Sequence, residues 1–78
     1  MTAFNIKLSS INDVKALVNA ATEMSCEIDL ISGRYVINAK SLIGIFSIDL
    51  TKPITVEVHG SEEEAEQFKS FLGDCIID

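Results

Sequence analysis

Phe4, Ile6 and Leu8 alternate with Asn5 and Lys7 in the stretch AFNIKLS, residues 3–9, and this period of two predicts a half-buried strand, β1. The period then lengthens. Ile11, Val14, Leu17, Val18 and Ala21 recur at helical spacing, with Met24 near the end, and predict a helix α1 over about residues 11–24. Ser10 stands as its N-cap, and Asp13, three residues on, sets a carboxylate at the positive helix end. In CEIDLIS, residues 26–32, Cys26, Ile28 and Leu30 share one face and Glu27 and Asp29 the other, which predicts β2. RYVINA, residues 34–39, is a second β-rich run, β3. Ser32-Gly33 between them predicts a tight hairpin turn, because glycine tolerates positive φ. KPITVEVHG, residues 52–60, points Ile54, Val56 and Val58 inward and Thr55 and Glu57 outward, giving β4. Pro53 lacks an N–H and fits only the start of such a strand. A helix α3 then begins at Ser61, which forms a capping box with Glu64 while Glu62 and Glu63 complement the helix dipole. Ala65, Phe68, Phe71, Leu72, Cys75 and Ile76 make its apolar stripe.

The remaining stretch, NAKSLIGIFSIDL at residues 38–50, is rich in large apolar side chains but does not alternate cleanly. Lys40-Ser41 reads as a turn, and Gly44 disfavours a long helix. The stretch predicts a helix of one or two turns, α2, over about residues 41–47. The element order is βαββαβα. Three amphipathic helices on one face of a four-stranded antiparallel sheet make an open-faced α+β sandwich. Residues 1–78 form one domain, whose length limits burial to about 60% of the surface the unfolded chain exposes.

Composition narrows the function classes. The chain is 47% apolar and 23% charged, an ordinary soluble balance, with a net charge of −6. That charge argues against nucleic acid and anionic membrane surfaces as partners, and the six basic residues are scattered rather than clustered. MTAFNIKL has neither a basic nor an apolar segment of a signal peptide, and no apolar run approaches the roughly 18 residues of a membrane span. A cytoplasmic location follows as the expectation. Cys26 and Cys75 can pair, but in that setting they read as reduced core residues. One histidine and two distant cysteines have no metal-ligand spacing, and the four glycines are too dispersed for a phosphate-binding loop. Glu62, Glu63, Glu64 and Glu66 read as a solvated helix start rather than an acid/base pair. No cofactor, no metal and no enzymatic activity are expected.

KSLIGIFSI, residues 40–48, together with VEVHGSEEEAE, residues 56–66, and the βαββαβα order, resembles HPr, the histidine-containing phosphocarrier family of the bacterial sugar phosphotransferase system. HPr proteins of Gram-positive bacteria carry a Lys-Ser pair, an apolar pair, a glycine, a further apolar pair, a serine and an apolar residue at the first of these points. The resemblance implies the HPr-like fold over nearly the whole chain. In the family a histidine at the start of α1, followed closely by an arginine and a proline, takes a phosphoryl group from phosphoenolpyruvate through enzyme I. A neutral imidazole is a good nucleophile near pH 7, and the helix start and arginine stabilise the product dianion. The corresponding segment here, LSSINDVKALV, has none of the three residues and is a few residues shorter. The resemblance puts Ser10 where the histidine belongs, give or take two positions, a window that includes Asn12. A serine without a base has no comparable nucleophilicity, and Asp13 repels a dianion.

The resemblance carries over better at Ser41. In Gram-positive HPr proteins the serine of the Lys40-Ser41 pair is phosphorylated by HPr kinase/phosphorylase with ATP, and the product is a corepressor for a catabolite control transcription factor. Ser41 is equally a good N-cap for α2 and nothing more. Ile43 and Phe46 stand where HPr proteins present apolar side chains to enzyme I, the kinase and the transcription factor; the alternative is that both pack inward. His59, the only histidine, ends β4. In the family's sheet that end lies opposite the start of α1, a strand length of roughly 17 Å away, although His59 also precedes the N-cap of α3.

Three functions fit this reading. The first is a regulatory or adaptor protein of catabolite repression, without the carrier histidine, docking through the α1/α2 surface and switched at Ser41. The second is a phosphocarrier using His59 or another residue. The third is a small interaction protein unrelated to sugar transport, monomeric or weakly dimeric, whose self-association a Phe46→Glu change disrupts.

Overall fold

Seven elements follow one another in the computed structural model, which describes residues 1–77: β1 Thr2–Ile6, α1 Ile11–Glu23, β2 Glu27–Ser32, β3 Tyr35–Asn38, α2 Leu42–Phe46, β4 Ile54–His59 and α3 Glu62–Leu72. The order is the βαββαβα expected from periodicity. The strands form one antiparallel sheet in the order β1-β4-β2-β3. Register sets the two faces. Phe4 opposes Val56, Ile6 opposes Ile54, Val58 opposes Ile28 and Leu30 opposes Val56, and all these side chains are buried. The helices cover this face with Val14, Leu17, Ala21, Ile45, Ala65, Phe68 and Leu72. Full burial of one such large side chain contributes about 1.5–3 kcal/mol. Against a net stability of about 5–15 kcal/mol for a folded domain, any one of them matters.

Among the described residues no helix packs on the other sheet face. Its strand positions are Ala3 and Asn5, Thr55, Glu57 and His59, Glu27, Asp29 and Ile31, Val36 and Asn38.

Several boundaries differ from the sequence reading. Ser32 pairs with Tyr35, so the turn is Gly33-Arg34 rather than Ser32-Gly33. Gly33 has φ 62 and Arg34 is not positive, the sign pattern of a type II′ turn with glycine at its first central position. Ile11 is 62% exposed and Phe71 47% exposed, so neither joins the core. Each lies at the edge of its helix's apolar stripe, outside the arc that the sheet covers. The α-helix α3 stops at Leu72, because Gly73 turns the chain with φ 48 into a single 3-10 turn, Gly73–Cys75. Cys75 and Ile76 therefore do not extend the stripe. They bring the chain back alongside β1, where Lys7 N–H donates to Cys75 at 2.8 Å and Ile77 N–H donates to Asn5 at 3.0 Å. That pairing covers the outer edge of β1. Both cysteines are free thiols, partly buried against the core.

Candidate functional site

The start of α1 is closed by its own side chains. Ser10 Oγ accepts from Asp13 N–H at 3.1 Å, and Asp13 Oδ2 accepts from Ser9 N–H at 2.8 Å. The cap satisfies the Asp13 N–H of the first turn, and the Asp13 carboxylate takes the N–H of Ser9, the residue before the N-cap. The Asp13 carboxylate also reaches Cys75, whose thiol is pushed up first by burial and then by that charge. Ser10 and Asn12, the residues the resemblance sets near the carrier-histidine position, are both exposed, and no histidine lies in this segment.

The start of α2 is different. Ser41 Oγ accepts from Gly44 N–H at 3.1 Å, as a cap, but no acidic residue lies in the first turn. Of the three helix starts, this one alone carries no carboxylate; α1 has Asp13 and α3 has Glu62, Glu63 and Glu64. Lys40, beside Ser41, is exposed, and its backbone N–H donates to Asn38 Oδ1 at 2.8 Å, which fixes the turn from β3. Within α2 only Ile45 is buried. Ile43 is 84% exposed and Phe46 46% exposed, so the side chains on either side of Ile45 face outward. An outward apolar pair on so short a helix is a departure from core packing.

Phe46 and the α1 start meet. A shallow groove between α1 and α2 is lined by Lys7, Ser10, Ile11, Phe46, Leu50 and Thr51. Lys7 Nζ donates to the Thr51 carbonyl, tying the end of β1 to the loop before β4. In that loop Asp49 accepts from the Thr51 hydroxyl and N–H, which holds its carboxyl below the ordinary range. Thus Ser10 and Phe46 share one groove. Ser41, Lys40 and Ile43 are on the adjoining α2 surface and do not line it. Leu50 and Thr51 escape the sequence reading, and Ile11, which helical spacing assigns to the core stripe, lies at its exposed edge.

His59 lies far from this groove. Because Ile6 opposes Ile54 and Thr2 opposes Val58, the C-terminal end of β4 is at the opposite end of β1 from α1. His59 Nε2 is 3.1 Å from Asp29 Oδ2 and 3.6 Å from Glu57 Oε1, so it is a paired side chain on the uncovered sheet face. Spacing along the chain gave no hint of this trio, which strand register assembles. The capping box of α3 is present in both halves, Glu64 N–H to Ser61 Oγ at 3.1 Å and Ser61 N–H to Glu64 Oε1 at 2.9 Å. The bond from Ser61 lowers the Glu64 carboxyl. Burial and the Glu64 charge raise the Cys26 thiol beside it.

Comparison with known proteins bears on both fold and family. The family model described as the PTS HPr component phosphorylation site matches residues 12–76. Comparison with curated proteins gives no match. Among solved structures, HPr-C-His from Thermoanaerobacter tengcongensis superposes with a TM-score of 0.72 at 21% identity, covering 95% of this chain and 98% of that one. The phosphocarrier protein HPr from Bacillus anthracis str. Ames superposes with a TM-score of 0.69 at 24% identity, covering 90% of this chain and 94% of that one. At these identities the two structures carry the fold. No helix among the described residues is long and apolar enough to cross a membrane.

Proposed function

The chain belongs to the HPr family of the phosphotransferase system, and from that premise we propose that it is a non-carrier, regulatory or adaptor member of the family. It docks on protein partners through the α1/α2 surface and is switched by phosphorylation of Ser41. It acts in the cytoplasm and is not itself an enzyme.

The observation that carries this reading is the contrast between helix starts. At α1 the cap of Ser10 and Asp13 leaves a negative charge and no nucleophile where the family's phosphoryl group would sit. At α2 the Ser41 hydroxyl already lies 3.1 Å from a first-turn N–H, with no carboxylate in that turn. A phosphoryl group on Ser41 gains a backbone donor and the positive helix end without local repulsion. Beside it, Ile43 and Phe46 supply apolar contact, and the groove with Ile11 extends that surface toward α1. The partners that fit are those the family's motif implies: HPr kinase/phosphorylase, enzyme I or a catabolite control transcription factor. A phosphocarrier role for His59 is disfavoured by its two carboxylate neighbours, which oppose a dianion on that ring.

The test is intact mass after incubation with ATP and the host's HPr kinase/phosphorylase. One added phosphoryl group, absent in Ser41→Ala, is expected. No gain, while the host's authentic HPr is modified in the same tube, overturns the Ser41 switch.

A further inference from the structure

We propose that Asp29, Glu57 and His59 form a binding site for a divalent transition-metal cation of the zinc class on the uncovered face of the sheet. The ligand atoms come from adjacent strands: Asp29 from β2, Glu57 and His59 from β4. All three lie within 4.8 Å of one another. Zinc holds nitrogen and oxygen ligands at about 2.0–2.2 Å, so neighbouring ligands in a tetrahedral shell sit about 3.3–3.6 Å apart. The separations from His59 Nε2, 3.1 Å to Asp29 Oδ2 and 3.6 Å to Glu57 Oε1, lie just below and at the upper end of that edge length, so a small shift of the side chains seats the ion.

The donor set selects the class of ion. An imidazole with two carboxylates suits zinc and its neighbours rather than calcium or magnesium, which prefer oxygen alone. The cation takes the position between Nε2 and Asp29 Oδ2, and binding at Nε2 uses the neutral ring with its one proton on Nδ1. Two faces of the ring's surroundings then make sense. Asp29 and Glu57 are direct cross-strand partners, and like charges directly opposite one another destabilise a sheet. Glu27, the cross-strand partner of His59, adds a third carboxylate. None of the strand positions on this face is lysine or arginine. A divalent cation supplies the missing positive charge. The three side chains are 27–39% exposed, which gives the ion an entry path and leaves its remaining positions to water. This inference is independent of the α1/α2 surface and of Ser41.

Zinc chloride titrated into untagged protein by calorimetry, with backbone amide spectra recorded in parallel, tests it. One equivalent is expected to bind in the micromolar range and to move the resonances of Asp29, Glu57 and His59. Affinity is expected to fall at least tenfold in His59→Asn and in Asp29→Asn, both folded by their spectra, and to persist in Cys26→Ser/Cys75→Ser. No saturable binding up to millimolar zinc overturns the site. So does binding that His59→Asn leaves unchanged, which would move the ion to the thiols or to scattered carboxylates.

Discussion

The Ser41 hydroxyl accepts the Gly44 N–H at 3.1 Å and also occupies space that a Gly44 side chain would need: a Cβ there would lie 2.9 Å from Oγ and 2.8 Å from Ile37 Cγ2. The glycine thus lets α2 seat on β3 while keeping its cap. Gly44→Ala is a contest of two effects. Alanine favours a helix by up to about 1 kcal/mol. Overpacking costs about 1–3 kcal/mol, and here one of the colliding atoms is a methyl group of a sheet residue. We expect a net loss on the order of 1 kcal/mol, read as a lower urea midpoint at unchanged slope. Unchanged or increased stability would mean that α2 rides loosely on β3.

The cap of α1 gives a second prediction. Ser10→Ala is expected to cost about 0.5–2 kcal/mol. Asp13→Asn removes a charge from the helix end and is expected to cost about 0.3–1 kcal/mol. The double variant should cost less than the sum, since both residues serve one cap. Thermal melts of the three variants check this; strict additivity would contradict a shared cap.

Much of this architecture was legible in the chain because single-residue rules decide it. Ser10, Ser41 and Ser61 are caps that sequence identifies and the structure keeps. The strands were legible because a one-sided sheet enforces strict alternation, as in Ile54, Val56 and Val58. What escaped depends on the third dimension. Ile11 and Phe71 fit a helical period but lie outside the arc covered by the sheet. The return of Cys75 and Ile76 along β1 follows from the Gly73 conformation, which apolar spacing cannot reveal. Asp29, Glu57 and His59 come together only through strand order, with β4 lying between β1 and β2.

Acid should weaken the α3 cap. Glu64 and Asp49 both titrate below their ordinary values in the folded chain, Glu64 through the Ser61 N–H and Asp49 through Thr51. A carboxyl whose folded pKa is depressed contributes stability above its unfolded value, about 4.3 for glutamate and 3.9 for aspartate. That contribution is lost as pH falls through the folded value. Stability is therefore expected to be level near neutrality and to decline below about pH 4.5. Glu64→Gln should flatten the upper part of that decline in melts across pH. An unaltered profile would show that the Ser61–Glu64 bond is not made in solution.

Exposure separates docking from packing within α2. Ile43→Glu changes an 84% exposed side chain and is expected to shift stability by no more than about 0.5 kcal/mol. Ile45→Ala, fully buried two residues on, is expected to cost about 2–5 kcal/mol. If the α1/α2 surface is the docking surface, Ile43→Glu abolishes partner binding in a folded protein, measurable by calorimetry with the kinase. Retained affinity would move the interface elsewhere.

The central claim, a family member that has given up the carrier step, is tested most directly with enzyme I and phosphoenolpyruvate. The protein and the host's authentic HPr are incubated together, and intact masses are read at neutral pH and again after acid treatment. The account predicts an acid-labile phosphoryl group on the authentic carrier and no mass change on this chain. One acid-labile phosphoryl group on this chain, lost in His59→Ala, would contradict it and make the sheet-end histidine a working carrier.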